Sequence, residues 1–145
     1  LLFALFISLI IFKNFYFNVY IFISVLVFSS IFPDIDHGKS WIGKKIKPLS
    51  FIINFIFGHR KFVHSIFFAL ILSLIISYFF GDYYIPFLIG FLCHLVLDIL
   101  TKNGLQILYP FKFRIRGFIK TNGIVEKVFL VFLMAANAIY MFRLV

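Results

Sequence analysis

The sequence predicts an all-α, polytopic membrane protein of about five transmembrane helices, with a polar site at the cytoplasmic face and a short interfacial helix. Three observations predict it: 63% of the 145 residues are hydrophobic, 24 of them are phenylalanine, and the mean hydropathy is +1.11. Soluble domains hold roughly 45–50% apolar residues, and a water-soluble fold has no way to hide this excess. A spanning helix needs about 20 mostly apolar residues, so this length holds four or five spans in one membrane-embedded domain covering residues 1–145.

Leu1 to Phe12 is continuously apolar but amounts to about half a span. No charge or Met precedes it, which predicts a first helix entered part-way in a chain that continues upstream. It lacks the basic n-region and small-residue cleavage site of a signal peptide. Phe15 to Phe32 is the second predicted span, stopped by Pro33. Phe62 to Phe80 is the third, Tyr84 to Leu100 the fourth and Ile124 to Phe142 the fifth. Only Gly81-Asp82-Tyr83 joins the third to the fourth, so these two form an antiparallel pair. Leu49 to Phe57 is amphipathic and too short to span, which places it flat in the interface.

Charge gives the orientation. Lys39, Lys44, Lys45, Lys47, Arg60 and Lys61 crowd the first polar loop, and Lys102, Lys112, Arg114, Arg116 and Lys120 the second. The positive-inside rule turns both loops to the cytoplasm of the inner (cell) membrane, with an external C-terminus. The net charge of +9 thus records topology and anionic headgroups, and nucleic acid is not the expected partner. The single cysteine, Cys93, allows no intrachain disulfide and reads as a small packed hydrophobe.

The four histidines and five acids are few enough to place completely. Asp34, Asp36 and His37 follow the second span, His59 and His64 bracket the start of the third, His94 and Asp98 end the fourth, and Glu126 opens the fifth. These eight lie at the cytoplasmic boundary, and the fifth acid, Asp82, lies on the opposite side. Ionisable groups at that depth are costly, and they persist when they pair, bind metal or line a wet cavity. His94 and Asp98, at i and i+4, share one helix face. An extended Asp34-Ile35-Asp36 turns both carboxylates to one side. Taken singly, each piece has a bland reading: a turn or cap for the D-x-D, helix packing for His94, a cap for Asp98, a dipole partner for Glu126 and a headgroup patch for His59-Arg60-Lys61. Taken jointly, imidazoles and carboxylates arriving from separate helices point to a metal site that suits zinc, manganese or iron better than calcium.

Over nearly the whole chain these residues resemble the membrane-bound, metal-dependent hydrolases, also described as LexA-binding, inner-membrane-associated hydrolases. That family shows Leu-Pro-Asp-Ile-Asp-His with a following Ser, matched here by Phe32-Pro33-Asp34-Ile35-Asp36-His37 and Ser40. It then shows His-Arg-Gly-x-Thr-His-Ser, matched by His59-Arg60-Lys61-Phe62-Val63-His64-Ser65. His-x-x-x-Asp with a Thr and a Gly corresponds to His94, Asp98, Thr101 and Gly104. A Pro with a basic-aromatic stretch corresponds to Pro110 to Arg116, and the Glu opening the last helix to Glu126. Lys61 and Val63 depart from the family's Gly and Thr. A His preceding the first helix in the family has no counterpart in a sequence that opens at Leu1.

The resemblance implies a hydrolase in which Asp34, Asp36, His37, His59, His64, His94 and Asp98 supply ligands to one or two divalent ions, zinc first. Asp36 or Glu126, where free of metal, serves as general base or orients a ligand histidine. Arg60, with Lys61, holds an anionic group, so a phosphate ester, including phospholipid, is the preferred substrate. Membrane lipids, a phosphoester substrate and a cytoplasmic regulatory protein are the expected partners. The competing class is a non-catalytic membrane anchor whose basic loops bind a cytoplasmic regulator, nucleic acid or anionic lipid. Ion transport ranks third, because no ionisable path crosses the membrane. Ser40 and Ser65 read as helix caps.

Overall fold

Capping residues decide where these apolar runs become helices. The computed structural model describes residues 1–11, 18–38, 40–57, 61–121 and 123–144. They form helices α1 (Leu2–Ile11), α2 (Val19–Ile31), α3 (Trp41–Lys45), α4 (Lys47–Phe57), α5 (Ile66–Phe80), α6 (Tyr84–Leu100) and α7 (Ile124–Leu144). Asn18 caps α2 by accepting the Tyr20 N–H at 3.0 Å. The third predicted run begins at Phe62, but α5 starts only at Ile66. Ser65, in extended backbone, accepts the Phe68 N–H at 3.1 Å and fixes the start there. His64 is thereby left in the turn before the helix, fully buried.

Helices α5 and α6 are joined by the one-turn link Gly81–Tyr83, with Gly81 at φ 61°, a conformation that glycine adopts without Cβ strain. Phe68 packs against Phe91 with ring centroids 6.3 Å apart, and so short a link between two packed helices makes the pair antiparallel. Two stretches among the described residues are long and apolar enough to cross a membrane: Val19–Asp36, and Ile66–Leu100, which contains this hairpin.

The most extensive helix interface is between α2 and α6. Gly90 makes it close: a Cβ there would collide with Ser29 Oγ and the Leu26 carbonyl. The Ser29 and Ser30 hydroxyls return to carbonyls of their own helix, so neither is left unsatisfied in this dry contact. Phe22 and Leu26 of α2 pack with Ala4 and Cys93, while Ala69, Phe87, Phe91, Leu95 and Leu105 form a second cluster. Cys93 is buried there as a packed hydrophobe. Because backbone as well as side chain would have to yield, Gly90→Val should cost at least about 1–3 kcal/mol. A lowered thermal midpoint in detergent checks this, and an unchanged midpoint would remove the close-approach argument.

The segment from Thr101 to Gly123 is tied down although it is polar. Leu105 is fully buried, the Ile66 N–H donates to the Ile107 carbonyl at 2.9 Å, and Leu105 pairs with Ile115 in an isolated bridge. Gly117 lies directly against the Leu100 carbonyl. This segment therefore covers the C-terminal end of α6 and the N-terminal end of α5, where His64, His94 and Asp98 meet.

Candidate metal centre

Pro33 ends α2, and the chain continues as a single 3-10 turn, Phe32–Asp36. The sequence predicts an extended Asp34-Ile35-Asp36 with both carboxylates on one side; the turn corrects this. At three residues per turn, positions i and i+2 point about 120° apart, so the two acids part company. Asp34, its side chain 42% exposed, comes to His94, while Asp36, fully buried, comes to His64. Ser40 donates to the Asp34 carbonyl at 2.7 Å and accepts the Gly43 N–H at 3.0 Å, which pins the turn to the start of α3.

His94 stands one helical turn beyond Gly90 on the face that α6 presses against α2. Its Nδ1 lies 2.8 Å from the Ser30 carbonyl, one of the last α2 carbonyls, whose helical donors have run out. A carbonyl only accepts, so Nδ1 carries a proton, and in the neutral ring Nε2 has the lone pair. That Nε2 is buried and makes no hydrogen bond among the described residues. It lies 3.9 Å from Asp34 Oδ1 and 3.7 Å from Asp98 Oδ2. His64 Nε2 is 3.6 Å from the same Asp98 Oδ2, and His64 Nδ1 is 3.4 Å from Asp36 Oδ2.

The three separations that involve the His64 and His94 Nε2 atoms, 3.6, 3.9 and 3.7 Å, are long for hydrogen bonds, whose heavy atoms sit about 2.7–3.2 Å apart. They are nearer the edge of a tetrahedral site, where ligands about 2.1 Å from a common ion lie about 3.4 Å from one another. Asp34, His64 and His94 each offer an atom within 4.8 Å of the others. An imidazole lone pair aimed among carboxylates, its other nitrogen fixed by a carbonyl, is the arrangement a metal-ligating histidine needs. The residues fit a divalent cation.

The other predicted site residues divide. His37 is half-buried and its N–H donates to the Asp34 carbonyl at 3.1 Å; it contributes no atom to the three-residue group. Asp36 is likewise outside that group and sits on the Nδ1 side of His64. His59 and Arg60 lie outside the described residues, and Lys61 is exposed. Glu126 sits in the first turn of α7 and shares with Asp98 the lining of a cavity of about 270 Å³. Ser40 and Ser65 act as caps, as expected. Sequence reasoning missed the Ser30 carbonyl, which carries no side-chain signal, and the cavity residue Thr121; Thr101 stands in the motif after Asp98.

Residues 1–145 match the family described as YdjM inner membrane protein. The chain belongs to the YdjM inner membrane protein family. It is 38% identical over 119 residues to YvsG of Bacillus subtilis (strain 168), covering 79% of this chain and 74% of that one. It is 36% identical over 98 residues to the inner membrane protein YdjM of Escherichia coli (strain K12), and equally to that of Shigella flexneri. Those alignments cover 62% of this chain and 50% of the YdjM proteins, so the match spans about half their length. No solved structure matches. Membership in the YdjM family accounts for the apolar composition and supports an inner-membrane location.

Proposed function

We propose that this YdjM-family chain is a metal-dependent hydrolase that cleaves a phosphate ester at the cytoplasmic face of the inner membrane. The observation that carries the proposal is the lone pair of His94 Nε2, buried among Asp34, Asp98 and His64 with its tautomer set by Ser30. Asp34, His64 and His94 would hold the ion, with Asp98 a fourth donor, and zinc is favoured over manganese or iron. A bound divalent cation supplies Lewis acidity, acidifying water and polarising a phosphoryl group. Asp36 would orient His64 through Nδ1, and Glu126, which lines the same cavity as Asp98, would take a proton from water.

The topology proposed with it has five spans, formed by α1, α2, α5, α6 and α7, with the metal centre on the cytoplasmic side. Supporting it, Lys44, Lys45, Lys47, Lys112, Arg114, Arg116 and Lys120 are all exposed on the polar segments beside the cluster. Helix α4 exposes Phe51, Ile52, Phe55 and Ile56, the side a helix lying in the interface would bury in lipid.

The test is turnover of a phosphate monoester, a diester and a phospholipid by detergent-purified protein reloaded with zinc or manganese. Hydrolysis that chelator removes and metal restores supports the reading, and no turnover on any of the three overturns it. Neutralising Lys44, Lys45 and Lys47 together should leave turnover within a few-fold, because these exposed side chains lie outside the metal cluster. The reverse pattern, with charge changes abolishing function and Asp34→Ala harmless, would favour the binding-protein reading.

A further inference from the structure

The cavity beside the metal cluster has a built polarity. Glu126, Phe129, Leu130 and Leu133 line it from α7, and their i, i+3, i+4, i+7 spacing means that a single face of that helix does so. Leu1, Leu2 and Phe3 at the start of the sequence, with Leu97, Leu100 and Ile119, add to the apolar lining, and the Phe3 and Phe129 ring centroids are 6.4 Å apart. The lining also holds four polar side chains, Asp98, Thr101, Thr121 and Glu126. Asp98 thus belongs to both chambers: its Oδ2 faces both site histidines, and its side chain also walls the cavity. The volume of about 270 Å³ is close to the lower end of small-molecule sites, ~300–1,000 Å³.

A soluble phosphoester has no use for the Phe129, Leu130 and Leu133 wall, and a purely apolar ligand none for the two acids and two hydroxyls. A chain of an inner membrane protein family stands in phospholipid, the one abundant molecule whose two ends match both. We infer that this cavity is the lipid-chain subsite of the metal centre, so that the substrate is a phospholipid whose headgroup carries hydrogen-bond donors. The acyl chain lies along the Glu126–Leu133 face of α7, and the headgroup donors meet Glu126, Thr101 and Thr121. The phosphate is thereby brought to the Asp98 side of the cluster. This inference rests on the hydrolase reading for its catalytic meaning but not for lipid binding itself.

The test is retention of palmitoyl-oleoyl phosphatidylethanolamine by full-length, detergent-purified protein in native mass spectrometry, with metal content measured on the same samples. Leu133→Trp fills the cavity from a position only 4% exposed, and Val131→Trp places the same bulk on the exposed side of α7. Wild type, Val131→Trp and His94→Ala should each retain stoichiometric lipid, and Leu133→Trp should lose it while keeping metal. Leu130→Phe, a smaller filling, replaces Leu133→Trp if that variant loses its helicity. Equal retention by the filled and unfilled proteins, no retention by wild type, or equally effective displacement by chain-free glycerophosphoethanolamine would each overturn the subsite. Lipid retained without metal would leave the subsite standing and sink the hydrolase, and metal without lipid would do the opposite.

Discussion

Replacing both His64 and His94 with alanine should strip the protein of metal. Wild-type protein is expected to carry near-stoichiometric zinc or manganese by plasma mass spectrometry, and the double variant only background. The loss in affinity should exceed about 100-fold, since outer partners of metal ligands alone are worth ~10–100-fold. His64 is fully buried, so removing it also leaves Asp36 without its imidazole partner, and taking the partner from a buried polar group costs about 1–3 kcal/mol. A folding defect must therefore be separated from a binding defect. Zinc binding to the native state stabilises it by about 2.7 kcal/mol at a hundredfold excess over Kd. Added zinc should accordingly raise the thermal midpoint of the wild type and of Val131→Trp, and leave the His94→Ala single variant unmoved. No metal in wild type after reconstitution would sink the metal centre, and a zinc response preserved in His94→Ala would remove His94 from it.

How much of this could be read in the sequence depends on which forces set each element. The helix α6 was legible to the residue, because Tyr84 to Leu100 is an uninterrupted apolar run bounded by a glycine link and Thr101. Its i, i+4 pair His94 and Asp98 followed from helical geometry alone, and both do face one cluster. The start of α5 was misplaced by four residues because hydropathy does not stop at Phe62, whereas the Ser65 cap does stop the helix. The D-x-D geometry was missed for a related reason. Proline ends an α-helix, but nothing local decides between extended chain and a 3-10 turn; the Ser40 bond to the Asp34 carbonyl, six residues away, holds the turn. Gly90 carried a signal that went unused, a small residue one turn before a site histidine. The folding of the 101–123 segment onto α5 and α6 rests on long-range backbone bonds that no periodicity announces.

Asp36 gives the sharpest separation between a ligand and a residue that positions one. It is fully buried, its Oδ2 is 3.4 Å from His64 Nδ1, and the opposite ring nitrogen of His64 faces Asp98. A carboxylate there would hold the imidazole in the tautomer that leaves Nε2 free for a cation. Asp36→Ala should then weaken zinc binding about 10–100-fold without abolishing it, because Asp34, His64 and His94 all remain. Asp36→Asn should fall between wild type and alanine. Its amide oxygen can still accept the Nδ1 proton and hold the ring, but it has lost the charge that makes Nε2 a better donor. A direct ligand behaves differently, since an amide is a poor substitute for a carboxylate on zinc, and Asp36→Asn would then lose as much metal as His94→Ala. Zinc titration of the three variants by calorimetry discriminates the two roles. A graded series in the order wild type, asparagine, alanine places Asp36 behind His64; an all-or-none loss at asparagine moves it onto the metal and requires the 3-10 turn to open when the ion binds.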